Sequence, residues 1–419
     1  MDMDGLLELE KGIWARTREE GRLELQARLQ AEVDALGAVG SDGLALKRAR
    51  RVGMVVDTMM GQVRLRVPSG CCQTSGNWET PVRRLWFRGE ARAVTPACEM
   101  ALATTACETG SYEKASKVCA VWGCTASDDK VMDTVRRMGE ACRPERLPEA
   151  CEGAAGRRDT LIIMMDGWMV RCRGGRWGEK DRPPEERVEW KECKSAVMFR
   201  LSDVAEVNKG RRTLVTKHVV AMPADTDPVA FGRRVHDEAV RMGLGRAARA
   251  YVIMDGGVYL WGVYRERFQS IAKGQLDYYH ASQHLHALAE ALIPGEERRA
   301  EREEWVSGLL DNLKYQGPRT LLEAVAEHEL AKIADPERQA AARREASYFS
   351  DHREHMDYPG AQAEGVPIGS GAMESQCSQN QNRFKRRGQF WSKTGFAAFL
   401  ELYVWYTNGE LDGLYRRPA

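Results

Sequence analysis

The chain has 419 residues, of which 43% are hydrophobic and 29% charged, and its formal net charge is +1. That length suggests two or three domains and that composition excludes a mostly disordered chain. No apolar run approaches the ~18 residues of a membrane span, and a net charge near zero leaves any polyanion-binding surface to local clusters of Lys and Arg.

The start, MDMDGLLELEKGIW, places acidic residues before any apolar stretch, the opposite of a secretory signal, so a cytoplasmic protein is expected. Leu6, Leu9, Ile13, Leu25, Leu29, Val33 and Leu36 recur at spacings of three and four among charged residues. This predicts one or two amphipathic helices within residues 1–51. Residues 52–100 change texture: VGMVVDTMMGQVRLRV predicts a β-hairpin with Gly61 at or near its turn, followed by Cys71-Cys72. Over 101–150, SYEKASKVCAVWG, CTASDD and KVMDTVRRMGEAC give helix, Gly-containing turn and helix, with Thr125 or Ser127 as N-cap. That outline fits a helix-turn-helix and fits an ordinary helical hairpin equally. A linker is expected from Arg143 to Arg158.

Residues 151–294 are strand-rich. DTLIIMMDGWMVRCR predicts an apolar strand ending at an acidic residue; VEWKECKSAVMFRL and RTLVTKHVVAMP predict further strands. PVAFGRRVHDEAVRMGL predicts a helix, ARAYVIMDGGVYLWGVY a second dense strand, and QLDYYH a short strand turning into the helix ASQHLHALAEAL. Three strands, a helix and then a buried strand is the order of an RNase H-like sheet, so an α/β fold is expected. Residues 295–360 carry helical stripes marked by Trp305, Leu309, Leu310, Leu321, Leu322, Val325 and Leu330, read as an insertion packed on the core. The remainder, 361–419, starts with Pro367-Ile368-Gly369-Ser370-Gly371 and closes with a last pair of helices.

Asp166 and Asp255 share one local design, in which an apolar strand (LIIMMDG, YVIMDGG) delivers an Asp followed at once by Gly. Either one alone fits a turn starting after a strand. An ionised carboxylate near a core nevertheless needs a partner, and a cation is a natural one. Glu374 lies in GSGAMES, where Ser370 is placed to cap a helix carrying it in the first turns. Two strand-end Asp residues and a Glu on a later helix make a set suited to two Mg²⁺ or Mn²⁺ ions, which take oxygen ligands and serve phosphodiester chemistry. Arg383, Lys385, Arg386 and Arg387 form a basic cluster beyond Glu374, placed to meet a DNA backbone. Trp391 beyond it could stack on a base or pack in the core.

The series MMDGW, VIMDGG, LDYYHASQHL, PIGSGAMES and RFKRRGQFW resembles the motif set of DDE insertion-sequence transposases, in particular the ISKra-type group, over roughly residues 160–408. The resemblance implies an RNase H-like core with Asp166, Asp255 and Glu374 as catalytic, metal-holding triad, a helical insertion before the last acidic residue, and a mostly helical N-terminal DNA-binding region with a short hairpin. It gives Asp277 and His280 as a D-x-x-H signature, with His284 one turn on. Asp277 is expected to cap its helix and His280, as a neutral imidazole, to lie beside the metals. The implied activity is metal-dependent phosphodiester hydrolysis and strand transfer at the ends of a mobile element. Its partner would be double-stranded DNA, acted on by an assembly of at least two copies, with no nucleotide cofactor and no membrane. Members of the group often carry a C-x-x-C zinc ribbon, and none occurs here: the ribbon-like region is degenerate and Zn²⁺ is not expected, an irregular site from Cys71 or Cys72 with Cys98 and Cys107 being the one arrangement left. A structure-specific nuclease on the same fold and a catalytically silent DNA-binding derivative are the alternatives.

Overall fold

The computed structural model describes residues 1–87, 93–142, 159–208, 211–328 and 330–415. The expected linker at 143–158, Cys151 within it, and Lys209-Gly210 lie outside these. In chain order the elements are α1 (Met3–Leu36), β1 (Lys47–Thr58), β2 (Gly61–Cys71), β3 (Trp78–Glu79), α2 (Pro81–Trp86), β4 (Ala93–Val94), α3 (Pro96–Thr109), α4 (Tyr112–Val121) and α5 (Asp128–Ala141). There follow β5 (Thr160–Arg173), α6 (Pro184–Arg187), β6 (Val188–Arg200), β7 (Val204–Asn208), β8 (Arg211–Leu214), β9 (His218–Met222), α7 (Pro228–Arg241), β10 (Arg249–Met254), α8 (Val258–Arg267), β11 (Lys273–Leu276) and α9 (Tyr278–Leu292). The last are α10 (Arg299–Gln316), α11 (Arg319–Glu327), α12 (Pro336–Asp351), α13 (Tyr358–Ala363), α14 (Gly371–Phe384) and α15 (Lys393–Thr407). They form two compact units, Met1–Arg146 with Thr394–Ala419, and Leu147–Lys393. Among the described residues no helix is long and apolar enough to cross a membrane.

In the first unit one helix, α1, spans the whole N-terminal amphipathic stretch. The β1–β2 hairpin turns at Thr58–Gly61 as the sequence predicts, with Gly61 at φ 110°. Val63, Leu65 and Val67 alternate with Arg64 and Arg66 along β2, so the apolar face meets Val33, Met54 and Val56 while the arginines face out. Strand β3 pairs with β2 only at Gly70 and Cys71. Along the rest of that edge Gln26 accepts from the Arg64 N–H (2.9 Å) and Gln30 from the Arg66 N–H (2.8 Å), so α1 stands in for a strand. Helices α4 and α5 flank a turn at Gly123, and Ser127, not Thr125, caps α5 by accepting from the Lys130 N–H. A Cβ at Gly139 on α5 would lie 1.9 Å from the Ala398 carbonyl oxygen of α15, so glycine sets how closely these helices approach.

The second unit is built on a five-stranded mixed sheet ordered β11-β10-β5-β6-β9. Strand β6 runs antiparallel to both of its neighbours, β5 and β9, and β10 and β11 run parallel to β5. Leu161, Ile163, Met165, Val252 and Met254 bury one face of it beneath α7 and α8, through Phe231, Val235, Leu260 and Trp261. Helices α9 to α12 extend the same core by way of Leu285, Leu309, Leu321, Val325 and Phe349.

Three expectations change here. The strand carrying Asp166 does not end there: β5 stays paired with β6 as far as Arg173↔Val188, because the antiparallel partner continues as a hairpin arm after β10 has stopped. RTLVTKHVVAMP breaks in two, β8 pairing with β7 as a separate ribbon and β9 joining the main sheet. VYLWGVY is the helix α8, whose Leu260, Trp261, Val263 and Tyr264 are buried at helical spacing.

Candidate active site

Parallel pairing of β5 with β10 puts Met165 opposite Met254, so the next residues, Asp166 and Asp255, emerge side by side where β10 ends. Asp255 then accepts from the Gly257 N–H at 2.9 Å, and its carbonyl takes the Trp261 indole N–H at 2.8 Å, which fixes the turn into α8. Asp166 accepts from its neighbour's N–H, Gly167, at 2.6 Å and meets the Cys377 thiol at 3.7 Å. Burial pushes the Asp166 carboxyl up to about 6; the Gly167 N–H pulls against this, the Asp255 charge adds to it, and His280 and Cys377 lower it. Asp166 thus stands beside a second carboxylate in a partly dry site with one N–H and a thiol as its donors.

Glu374 stands in the first turn of α14, exposed, one turn before Cys377. Burial pushes the Cys377 thiol up, and the charges of Asp166 and Glu374 add to it, so α14 brings Glu374 to the same quarter of the molecule. Among the described residues, however, no three His, Cys, Asp or Glu side chains are grouped so as to hold a metal ion. The structure joins Asp166 with Asp255 and leaves Glu374 outside ligand distance. The donor chemistry of the Asp pair fits a hard divalent cation, since such an ion would offset the burial, and after it the Asp255 charge, that raise Asp166.

Asp277, fully buried, caps α9 as expected, accepting from the Tyr279 (2.6 Å) and His280 (3.0 Å) N–H groups. Its other oxygen accepts from the Ser370 N–H, a link the sequence did not suggest. Ser370 occupies the N-cap of α14 but its hydroxyl makes no capping bond, so the expected capping role passes to this backbone tie. Burial works against the Asp277 anion, yet its bonds to His280 and Ser370 hold the carboxyl below its ordinary value.

The His280 imidazole lies 3.5 Å from Asp277 and half-buried. Asp277 above all raises its pKa, burial opposes this, and Asp255 and Asp166 add to the rise. The carboxylates around the ring thus favour its protonated form over what burial alone would allow. His284 lies 2.6 Å from Glu345 and stacks at 3.6 Å on Tyr348. Tyr348 is a residue the sequence reading missed. A Cβ on Gly256 would sit 2.1 Å from its ring, so the glycine after Asp255 exists to admit that ring. Burial first, then the charges of Asp255 and Asp277, keep its phenol protonated.

Of the basic cluster, Arg383 is buried at 4% exposure and lies over the Phe384 ring, Lys385 is half-buried, and Arg386 and Arg387 are exposed. Trp391 packs against Phe384, its indole N–H on the Phe384 carbonyl at 2.8 Å. A cleft of about 830 Å³, lined by Met164, Phe199, Lys217, Ser375 and Gln379 among others, borders α14 without including either Asp. In the first unit Cys72 meets Asp42, Cys71 the Gly76 carbonyl, and Cys98 lies 3.1 Å from Cys124, so the cysteines considered for an irregular site are dispersed among other partners.

Comparison with known protein families gives no match, and neither do the curated proteins. Among solved structures, a Drosophila P element transposase strand transfer complex is matched at a TM-score of 0.25 and 11% identity, over 76% of this chain and 79% of that chain. A likeness of that size decides neither fold nor function.

Proposed function

We propose that the chain is a DNA transposase of the DDE type, with an RNase H-like core in residues 151–294 and 361–393, a helical insertion at 295–360 and a DNA-recognition region before residue 150, which residues 394–419 join instead of closing the core as the sequence suggested. The observation that carries this reading is the register of β5 and β10, which sets Asp166 beside Asp255 at the end of a parallel strand pair. The sheet order, three antiparallel strands followed by two parallel ones, is that of an RNase H-like domain and supports it. So does the position of Glu374 on a helix reached from β5 through Cys377.

Asp166 and Asp255, joined by Glu374, would hold two Mg²⁺ or Mn²⁺ ions. When bound, these would supply activation of the attacking oxygen and stabilisation of the leaving one. His280, held by Asp277, whose charge favours the protonated ring, is suited to donate a proton or hydrogen bond to a phosphate oxygen. Tyr348 and Trp261 wall the site and limit water. Lys385, Arg386 and Arg387 would contact the backbone of double-stranded DNA, with Arg383 holding the segment from inside. Two DNA ends must be held together, so at least two copies would act at once.

The test is cleavage and strand transfer by the purified protein on DNA carrying the ends that flank its gene. The wild type nicks and joins in Mg²⁺ or Mn²⁺, and Asp166→Asn, Asp255→Asn and Glu374→Gln each lose both activities, by roughly 10²–10³-fold or more, while still binding DNA. Nicking without joining would make it a nuclease, and full activity in any one variant would remove that residue from the triad.

A further inference from the structure

Beyond Asp166, β5 and β6 continue as a hairpin arm whose surface differs from the rest of the unit. Near the tip of this arm Arg176 pairs with Glu186, and Arg182 with Glu186 and Glu179. Among the described residues Arg171, Arg173 and Lys385 have no carboxylate partner and lie over aromatic rings instead. Arg171 sits 5.1 Å from the Phe390 ring centre and 5.9 Å from that of Trp190; Lys385 is 4.8 Å from Trp190, and Arg173 is 5.2 Å from Trp177.

Trp177 and Phe390 in turn pack at 5.1 Å. The patch is anchored rather than loose. Arg173 donates to the Phe390 carbonyl at 3.1 Å, and Arg171 to the carbonyls of Lys385 and Arg386. Trp190 is 52% exposed, although an indole gains most when buried.

Three cations without anionic partners, interleaved with three ring systems on a rigid arm, match what an unpaired nucleic-acid strand offers: phosphates at short intervals and bases with open π-faces. A duplex presents phosphates but keeps its bases stacked inside. We infer that this arm binds a single-stranded segment of nucleic acid, Trp190 stacking on a base, Arg173 and Lys385 taking the flanking phosphates and Arg171 tying the arm to the segment that carries Lys385. The inference deepens the proposed function, whose DNA substrate it takes over. Arg171 follows Asp166 by five residues, roughly 17 Å along the strand, so the bound segment would lie a few nucleotides from the reacting phosphate.

The experiment uses the full chain in EDTA, so that cleavage plays no part, and follows tryptophan quenching and oligonucleotide anisotropy. The probes are oligo-dT and oligo-rU of about 12 nucleotides, within the usual footprint of a single-strand site, a duplex of equal length, and poly-glutamate as an acidic polypeptide. Single strands are expected to bind several-fold tighter than the duplex, and the tighter of dT and rU identifies the natural strand. Trp190→Ala should lose roughly tenfold in single-strand affinity, the scale of one stacked base, and Trp190→Phe should keep most of it where Trp190→Leu does not.

Unchanged single-strand binding in Trp190→Ala with normal thermal stability overturns the inference. So does duplex binding equal to single-strand binding, or competition by poly-glutamate at comparable charge. Loss of nicking in the enzymatic assay with single-strand binding intact would count against the transposase reading alone.

Discussion

Two carboxylates a few residues from one another in space have opposite surroundings. Asp277, at the start of α9, is fully buried, yet three backbone N–H groups and an imidazole converge on it and its carboxyl is held down. Asp166, in the middle of β5, has one neighbouring N–H and a thiol, faces Asp255, and is pushed up to about 6. Burial alone does not mark a functional acid. A buried anion whose donors are supplied by the fold is a clamp, and one whose donors are missing is built for something that arrives later.

The largest effect expected from this contrast is on the clamp. Asp277→Ala removes a helix cap and leaves the Ser370 N–H without its acceptor, so stability should fall by about 3 kcal/mol, read by denaturant melts. Because the folded pKa of Asp277 is depressed, its contribution is present above the unfolded carboxylate range and is lost as pH falls through the lower folded value. The difference between wild type and variant should therefore shrink in acid. A constant difference down to the lowest pH would mean that the charge of Asp277 contributes nothing.

His280→Ala tests the group that faces both carboxylates. A rate loss of about 10²-fold with the melting temperature little changed is expected, and His280→Gln should recover little if a proton must be given. A variant that melts early but cleaves normally per folded molecule would move His280 to the clamp side of the comparison.

For Asp166 the sign reverses. A folded pKa of about 6 against an ordinary 3.8 means the metal-free fold loses stability as pH rises from about 4 to about 6 and stays at the lower level above that. Asp166→Asn should remove that loss, stabilising the metal-free protein at pH 8 by about 3 kcal/mol at the price of activity. Mg²⁺ should stabilise the wild type and leave the variant unmoved. A destabilised Asp166→Asn would show that this carboxylate, too, is structural.

The smallest effect lies outside the pair. Neutralising Lys385 and Arg387 together should lower the salt slope of DNA binding by roughly two, one per lost phosphate contact, without changing cleavage per bound molecule. A change restricted to particular sequences would indicate base reading.

Much of the site was legible because local rules decided it. Asp277 sits where an apolar strand meets a helical pattern, and capping follows from that position alone. The apolar runs ending in Met-Asp-Gly gave β5 and β10 as buried strands, and their parallel pairing brings the two Asp residues together. What escaped the sequence was decided at long range. Whether β5 stops at Asp166 depends on β6, which lies some thirty residues on and keeps the arm paired. VYLWGVY is apolar enough for strand or helix, and only the sheet edge beside it selects the helix. Tyr348 reaches the site from a helix nearly a hundred residues beyond Asp255, and the one local sign of it is Gly256, the first glycine in Asp255-Gly256-Gly257. Arg383 looked like its basic neighbours, and its burial depends on which face α14 turns to the sheet.

The close approach at Gly139 and Ala398 also bears on the order in which the chain becomes a protein. The first unit draws its helices from both ends of the sequence: Tyr112 stacks on Phe399 at 5.8 Å, and Tyr415 donates to Glu99 at 2.8 Å. During synthesis, α3, α4 and α5 emerge without the helix that covers them and wait while roughly 250 residues are added, on the order of ten to fifty seconds at ordinary ribosomal rates. The second unit is uninterrupted and can finish first. The ribosome therefore completes the last-begun unit before the first-begun one, and any truncation within α15 leaves the amino-terminal helices with an apolar face open, even though every residue of that face has been made.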